Sequence, residues 1–327
     1  MEVDTQVVGY LVEEAASHGN VEDTLEHEVC VWEKSFSGQS HFRHGLRTDF
    51  DQIRKEIAPT TSNSGESTYP IVALWAHPRS CSTAMERIFM ERKDFTIFHE
   101  PFSVLYYAHE AESQGRPSCV FEDDVGNLPN SYEDIKKQIL EAAKKSPVFF
   151  KDMSYHAFQH IAKDENFLTR LTNTFIIRDP AKAISSHYAM NPYVTKEELG
   201  YSLQLEMFQI VADLSQRKNS TTVSPIIVDA ADLIKRPAET LKTYCGALFL
   251  DYLPEALHWN PGQPKEWKIW ASWHKDASRS TGIFSPTKMA QISKYTVTVE
   301  NNEILRSMYE AELPFYQILH SRRLRVS

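Results

Sequence analysis

Long apolar runs are missing from this 327-residue chain, and none approaches the ~20 residues needed to cross a bilayer. Cysteine is scarce. Cys30, Cys81, Cys119 and Cys245 show no C-x-x-C spacing, so reduced thiols are expected, and no ligand spacing calls for zinc or any other metal. Both glycine-rich phosphate signatures are absent: no G-x-x-x-x-G-K-[ST], and no G-x-G-x-x-G following a strand. A basic excess is missing too, since 44 Asp and Glu outnumber 35 Lys and Arg for a net charge of −9. The first 33 residues hold nine acidic side chains and no Lys or Arg, and the remainder is balanced. That distribution argues against a nucleic-acid partner, and the acidic run reads as solvated surface.

What is present is concentrated between Ile71 and Arg92. Six mostly apolar residues, 71–76 (IVALWA), suit a buried parallel strand. A polar turn, HPRSCST, follows, and then a segment in which Ala84 and Ile88, with Met85 and Phe89, share a helical face. Ser82 or Thr83 suits the N-cap. Unpaired N–H groups, hydroxyls, the helix dipole and Arg79 together favour an anion, so the turn reads as a phosphate receptor.

A second strand–turn–helix supplies context. Residues 174–177 (TFII) read as a buried strand with Arg178 at its C-terminal end. Asp179 as N-cap and Pro180 at the first helical position open a helix, and Ser186 lies two turns in. Open parallel sheets bind ligands at the C-terminal ends of their strands. Arg79 and Arg178 are therefore expected at one edge, where two guanidinium groups and several hydroxyls suit a ligand with two separate phosphates.

These residues carry a family resemblance. The PRSCST turn resembles the 5′-phosphosulfate loop of sulfotransferases that use PAPS (3′-phosphoadenosine 5′-phosphosulfate), and Arg178 and Ser186 look like that family's clamp on the 3′-phosphate. PIIVDAADLIKRPAETLKTYCGAL is similar to its strand, acidic residue and following helix, and SRSTGIF to its late loop over the 3′-phosphate. The pattern is closest to the branch with P-R-S-x-S-T followed by H-E-P-F, and it covers roughly 69–290. Family members often carry Lys where Arg79 stands and Gly where Cys81 stands. Arg keeps the charge as a planar fork, whereas Cys adopts positive φ at higher cost than Gly.

The resemblance implies a phosphate-binding α/β fold and a donor site. Arg79, Ser80, Cys81, Ser82 and Thr83 would hold the 5′-phosphosulfate, and Arg178, Ser186, Arg279, Ser280, Thr281 and Gly282 the 3′-phosphate, with PAP as product. Family members of the Golgi need an anchor, so a cytoplasmic protein is expected. A formally neutral body points to a small-molecule acceptor instead of a long polyanion or a membrane, and a homodimer is left open. Sulfuryl transfer also needs a base for the acceptor proton. Glu100, after the strand at 95–98, ranks first, because a carboxylate there serves some relatives. His156 ranks second, entering if a helix begins at 153–156. Lys151 would neutralise the bridging oxygen. His99 would face away from Glu100 if its strand continues.

Along the chain, 1–68 reads as an acidic extension, helical at 7–15 and 21–32, ending in a polar linker at 59–68, and 69–327 as the transferase domain. Strands at 148–150 and 226–228 alternate with helices at 131–145, 161–171 and 201–217. A helix or lid is expected at 104–109 and a surface loop at 111–130. The alternation predicts a parallel sheet with helices on both faces. Trp259, Trp267, Trp270 and Trp273 read as packing, and Tyr106, Tyr107, Tyr188 and Tyr193 as a candidate aromatic acceptor pocket. The expected activity is PAPS-dependent sulfuryl transfer to a hydroxyl or amine. The alternatives are a nucleotide-dependent kinase, which lacks its Walker lysine here, and a non-catalytic PAP-binding relative.

Overall fold

The computed structural model describes residues 60–61, 67–107, 129, 131–217, 225–292 and 294–326. The helices expected within the first 33 residues, most of the loop expected at 111–130, and Cys30 and Cys119 lie outside the described residues.

Five parallel strands form the central sheet: β1 (Ile71–Ala76), β2 (Thr96–His99), β3 (Val148–Met153), β4 (Thr172–Ile177) and β5 (Ile226–Asp229). Their order is β2-β3-β1-β4-β5. Each of the first four is joined to the next by a crossover containing helix, as parallel pairing requires. The direction of strand addition reverses between β1 and β4, which opens a crevice at their C-terminal ends.

Alternation along β1 decides both faces. Ile71, Ala73 and Trp75 join one apolar cluster, and Val72, Leu74 and Ala76 join another. A strand buried on both sides must be apolar throughout, which is why 71–76 shows no polar alternation. The second cluster meets α1 (Ser82–Arg92) through Met85, Ile88 and Phe89. The first meets α2 (Tyr132–Ala143) through Ile135 and Ile139, and α3 (Ser154–Ile161) through Ala157, Phe158 and Ile161. Each of these Ile, Met and Phe side chains contributes about 1.5–3 kcal/mol on burial.

Local expectations hold where caps are explicit. Ser131 accepts from the Asp134 N–H at 3.1 Å to open α2, and Asp179 accepts from the Ala181 N–H at 2.9 Å ahead of Pro180. The helix expected at 161–171 begins four residues later, after α3 has ended at Ile161. α3 starts immediately after β3, and α4 (Glu165–Arg170) restarts where Asp164 accepts from the Phe167 N–H at 3.0 Å. β3 runs three residues past the strand expected at 148–150, so Lys151 and Asp152 lie within it. The expected linker at 59–68 contains a short antiparallel pairing of Thr60–Thr61 with Ser67–Thr68. At 104–109, the described part is a short helix, Ser103–Leu105, running on into a π turn at 106–107. Among the described residues, no helix is long and apolar enough to cross a membrane.

Candidate functional site

The turn after β1 is built on left-handed backbone. Arg79 has φ 64° and Cys81 φ 67°. Cys81 thus sits in the conformation where glycine is cheap and an L-residue costs roughly 1–2 kcal/mol. It occupies the N-cap of α1 without a side-chain cap bond. The cap expected at Ser82 or Thr83 is therefore displaced by one residue, and the Ser82 and Thr83 hydroxyls are not spent on capping. Ser80 Oγ is buried and has no hydrogen-bond partner. Strain and an unsatisfied buried hydroxyl in one loop mark a place organised for a ligand.

Arg178 braces that loop. Its Nη1 donates to the Arg79 carbonyl at 2.8 Å, and its own N–H donates to His77 Nε2 at 3.0 Å. His77 stacks on Tyr201, whose hydroxyl donates to the Arg178 carbonyl at 2.7 Å. Burial takes the His77 pKa down to about 3, which keeps Nε2 an acceptor. Arg79 reaches the other way, from Nε to Ser186 Oγ at 2.8 Å, where the Tyr295 hydroxyl also arrives at 2.8 Å. The two arginines thus converge on one cleft. Neither is tied to Asp179, which caps its own helix, or to Glu198, which closes a capping box with Thr195.

Two acid–base pairs stand at the ends of β2 and β3. Glu100, with φ 42°, makes a close ion pair with the fully buried Lys151. Burial pushes the Glu100 carboxyl upward, but the Lys151 ammonium, with His99 and His156, overrides it and holds the group well below the usual carboxylate range. The Glu100 carbonyl accepts from the Ser103 N–H at 3.0 Å, so the residue also closes a turn. One position along β3, Asp152 takes the Phe102 N–H at 2.7 Å, the Met153 N–H at 2.8 Å and His156 Nδ1 at 2.6 Å. Burial pushes the Asp152 carboxyl up, against the pull of His156. Nδ1–H on Asp152 leaves the lone pair of the neutral imidazole on Nε2, which is buried and has no partner. The rings of Tyr155, Tyr106 and Tyr107 surround His156 at 4.5, 5.4 and 5.4 Å.

Beside these pairs lies an inner chain. His99 does not face away from Glu100: its Nε2 is 3.9 Å from Glu100 Oε1 and 3.0 Å from His274 Nε2. His99 Nδ1 meets Glu86 at 2.8 Å, and the Trp267 indole N–H donates to Glu86 at 3.1 Å. His274 Nδ1 is 3.5 Å from Thr83 Oγ1. Burial, then the charges of His99 and Lys151, keep His274 well below the ordinary histidine range.

Glu100, His156 and His274 open with the two arginines into one cleft that spans about 1460 Å³ of space, open solvent included. Its lining includes Arg79, Cys81, Ser82, Thr83, Glu100, His156, Arg178, Ser186, Ser280 and Gly282. Ser80 and Lys151 stand behind the lining, and Arg279 and Thr281 are solvent-exposed and outside it. The late loop is held structurally. Trp259 donates to Ser280 Oγ at 2.9 Å, and a Cβ at Gly282 would approach the Leu257 carbonyl to 2.8 Å, so only glycine fits. Of the four tyrosines expected to line an acceptor pocket, Tyr107 does, joined by Tyr155, and Tyr193 is almost fully exposed. Trp259, Trp270 and Trp273 line the cavity, while Trp267 packs behind it.

Glu86, Asp152 as the partner of His156, His187, His274 and Tyr295 escape sequence reasoning. Only Asp152–His156 leaves a local trace, a spacing of four at a strand-to-helix junction. His187 lines the cavity, its pKa taken down to about 3 by burial and then Arg79.

Comparison with known proteins supplies the family. Residues 70–323 match the family model described as "Sulfotransferase domain". Two Arabidopsis thaliana proteins, branched-chain-amino-acid aminotransferase-like proteins 1 and 2, are 26% and 27% identical over 77% and 76% of this chain. The chain spans about two-fifths of their length, 42% and 41%. Among solved structures, the sulfotransferase domain from the curacin biosynthetic pathway aligns at 15% identity and a TM-score of 0.44, covering 75% of this chain and 98% of that domain. The sulfotransferase domain of the Synechococcus PCC 7002 olefin synthase aligns at 15% identity and a TM-score of 0.42, covering 77% and 97%. At these distances neither structure speaks to individual residues.

Proposed function

Because this chain belongs to the sulfotransferase-domain family, we propose that it moves a sulfuryl group from PAPS to a hydroxyl or amine of a small-molecule acceptor in the cleft at the ends of β1 and β4. One observation carries the reading: Arg79 and Arg178, about a hundred residues apart in the chain, line the same cleft as the unpartnered Nε2 of His156. Two fixed cations and the N-terminus of α1 suit a bisphosphorylated nucleotide, and a lone-pair nitrogen across from them suits a proton acceptor.

The residues divide the work. Arg79, Ser82, Thr83 and the first N–H groups of α1 receive the phosphosulfate and meet the negative charge that develops on the leaving phosphate, while Arg178 and Ser186 receive the 3′-phosphate. The acceptor oxygen or nitrogen bonds to sulfur as the sulfur–oxygen bond to the phosphate breaks, and the acceptor proton passes to His156 Nε2. Asp152 holds the ring in the tautomer that can take that proton and stabilises the imidazolium that results. Glu100, held ionised by Lys151, is a poor base at neutral pH. It instead offers a hydrogen-bond acceptor that orients the incoming group. This reverses the ranking read from the sequence. Tyr107, Tyr155 and Trp270 make the wall beside His156 aromatic and enclosed, which favours a small acceptor.

Calorimetry with PAP tests the donor site without knowledge of the acceptor. Arg79→Ala and Arg178→Ala are each expected to weaken PAP binding by about 1.5–3 kcal/mol, the worth of a charge-assisted contact. Arg178→Ala stands at the upper end, because it also unbraces the Arg79 carbonyl. Unchanged affinity in both variants rejects the site. A labelled-sulfate screen over a metabolite extract then identifies the acceptor.

A further inference from the structure

The two histidines that meet behind the phosphate loop are not arranged as a simple hydrogen-bonded pair. Their Nε2 atoms are 3.0 Å apart and their ring centroids only 4.8 Å apart. A collinear N–H···N bond adds two ring radii, each roughly 1.15 Å for a five-membered ring of bonds near 1.33 Å, which would put the centroids about 5.3 Å apart. The shorter distance means that the ring axes are bent off the line joining the nitrogens. Two axes bent toward a common side by about 40° would meet about 2 Å from each nitrogen, the bond length of zinc to imidazole. Glu100 Oε1 is 3.9 Å from His99 Nε2, and one ligand atom from each of His99, Glu100 and His274 lies within 4.8 Å of the others.

The surroundings are those of a metal-binding histidine pair. Metal-ligating histidines donate their other ring N–H to a carboxylate or similar group, which orients the ring. His99 Nδ1 does so toward Glu86 at 2.8 Å, and Glu86 is itself held by the Trp267 indole. His274 Nδ1 has Thr83 Oγ1 at 3.5 Å. Glu86 is fully buried and Glu100 nearly so, against one buried ammonium on Lys151. The two buried carboxylates put negative charge beside both imidazoles, which a bound cation would share with Lys151 and Arg79.

We propose that His99, His274 and Glu100 form a binding site for a divalent first-row cation, zinc in the first place. Two imidazoles and one carboxylate make a set known for zinc with an open fourth position. Glu100 and His274 line the cleft, so that position faces it. The cation competes with Lys151 for Glu100 Oε1. The ion pair is then the metal-free arrangement, and the ammonium is released when metal binds. The sequence hides this site because its ligands come from the end of β2 and from a segment more than 170 residues later.

The test uses the full chain and does not depend on sulfate transfer. Protein purified without chelator is assayed for zinc after gel filtration, and metal-stripped protein is titrated with cobalt(II) and read by its visible spectrum. One metal per chain and the spectrum of low-coordinate cobalt are expected. His274→Ala and His99→Ala should lose that spectrum, and Glu86→Gln, which touches only the orienting carboxylate, should weaken affinity about 10–100-fold. PAP binding by each variant reports that the fold persists. Wild-type protein that retains no zinc and leaves cobalt in its aquo form overturns the proposal, as does undiminished metal binding by His274→Ala that still binds PAP. Failure of PAP to bind the wild type, by contrast, would count against the donor site and leave the metal result standing.

Discussion

Lys151 and Asp152 are consecutive on β3, and each holds an acid–base partner, Glu100 from the end of β2 and His156 from the first turn of α3, yet the two pairs do opposite things to their partners. Lys151 meets Glu100 with a full opposite charge, which locks the carboxylate in its ionised form. Asp152, already bound by two backbone N–H groups, engages only one nitrogen of His156 and leaves the other free. Neutralising a group suppresses its basicity, whereas orienting it from behind preserves its basicity. Adjacent residues on one strand point to opposite faces, so a single strand end supplies a charge-locked carboxylate on one side and a histidine with a free ring nitrogen on the other.

Removing Lys151 should break the first pair at the largest cost. Lys151→Ala leaves Glu100 buried without its cation and should lower unfolding stability by about 3–5 kcal/mol. The double change Glu100→Gln with Lys151→Met should recover most of that loss, because both charges go together. Denaturant midpoints at constant slope check both.

Glu312 sharpens the contrast as a buried carboxylate with an unpartnered oxygen. Burial takes its pKa up to about 7, against a smaller opposing pull from Lys196. The folded value lies above the unfolded one, so its contribution is fully present below about pH 4.5 and is lost as pH rises through 7. Glu312→Gln should therefore match the parent near pH 4 and exceed it near pH 8 by up to about 3 kcal/mol. A gain at pH 4 instead would show that the carboxyl is not protonated in the fold.

The smallest expected effect is in the loop. Cys81→Gly relieves a left-handed cost of roughly 1–2 kcal/mol but adds chain entropy of roughly 0.5–1 kcal/mol, for a net gain between zero and about 1.5 kcal/mol. Thermal melts with and without PAP measure it.

Local chemistry was legible in the sequence and convergence was not. The β1 turn and α1 follow from an apolar hexad, a polar turn and one helical face, and Cys81 in place of glycine already signalled the strain at φ 67°. Arg178 and Ser186 follow from a strand end, an Asp-Pro cap and a two-turn offset. Asp164 was missed as a cap because it sits within a run that reads as one helix. The pairing of Glu100 with Lys151 is not legible locally, because a β2–β3 contact between residues 51 apart decides whether the carboxylate is free. Glu86 and His274 carry no local signal, since α1 and the tryptophan-rich segment meet only in the folded chain.

The most direct measurement compares single-turnover sulfate transfer by two variants, with labelled PAPS and the acceptor found by the extract screen, per PAP-binding site. His156→Ala should lose roughly 10²–10⁴-fold in rate. The Glu100→Gln, Lys151→Met double variant should keep its rate within about tenfold and show a raised KM instead. The reverse order, a fast His156→Ala and a dead double variant, would contradict the account and return the proton to Glu100.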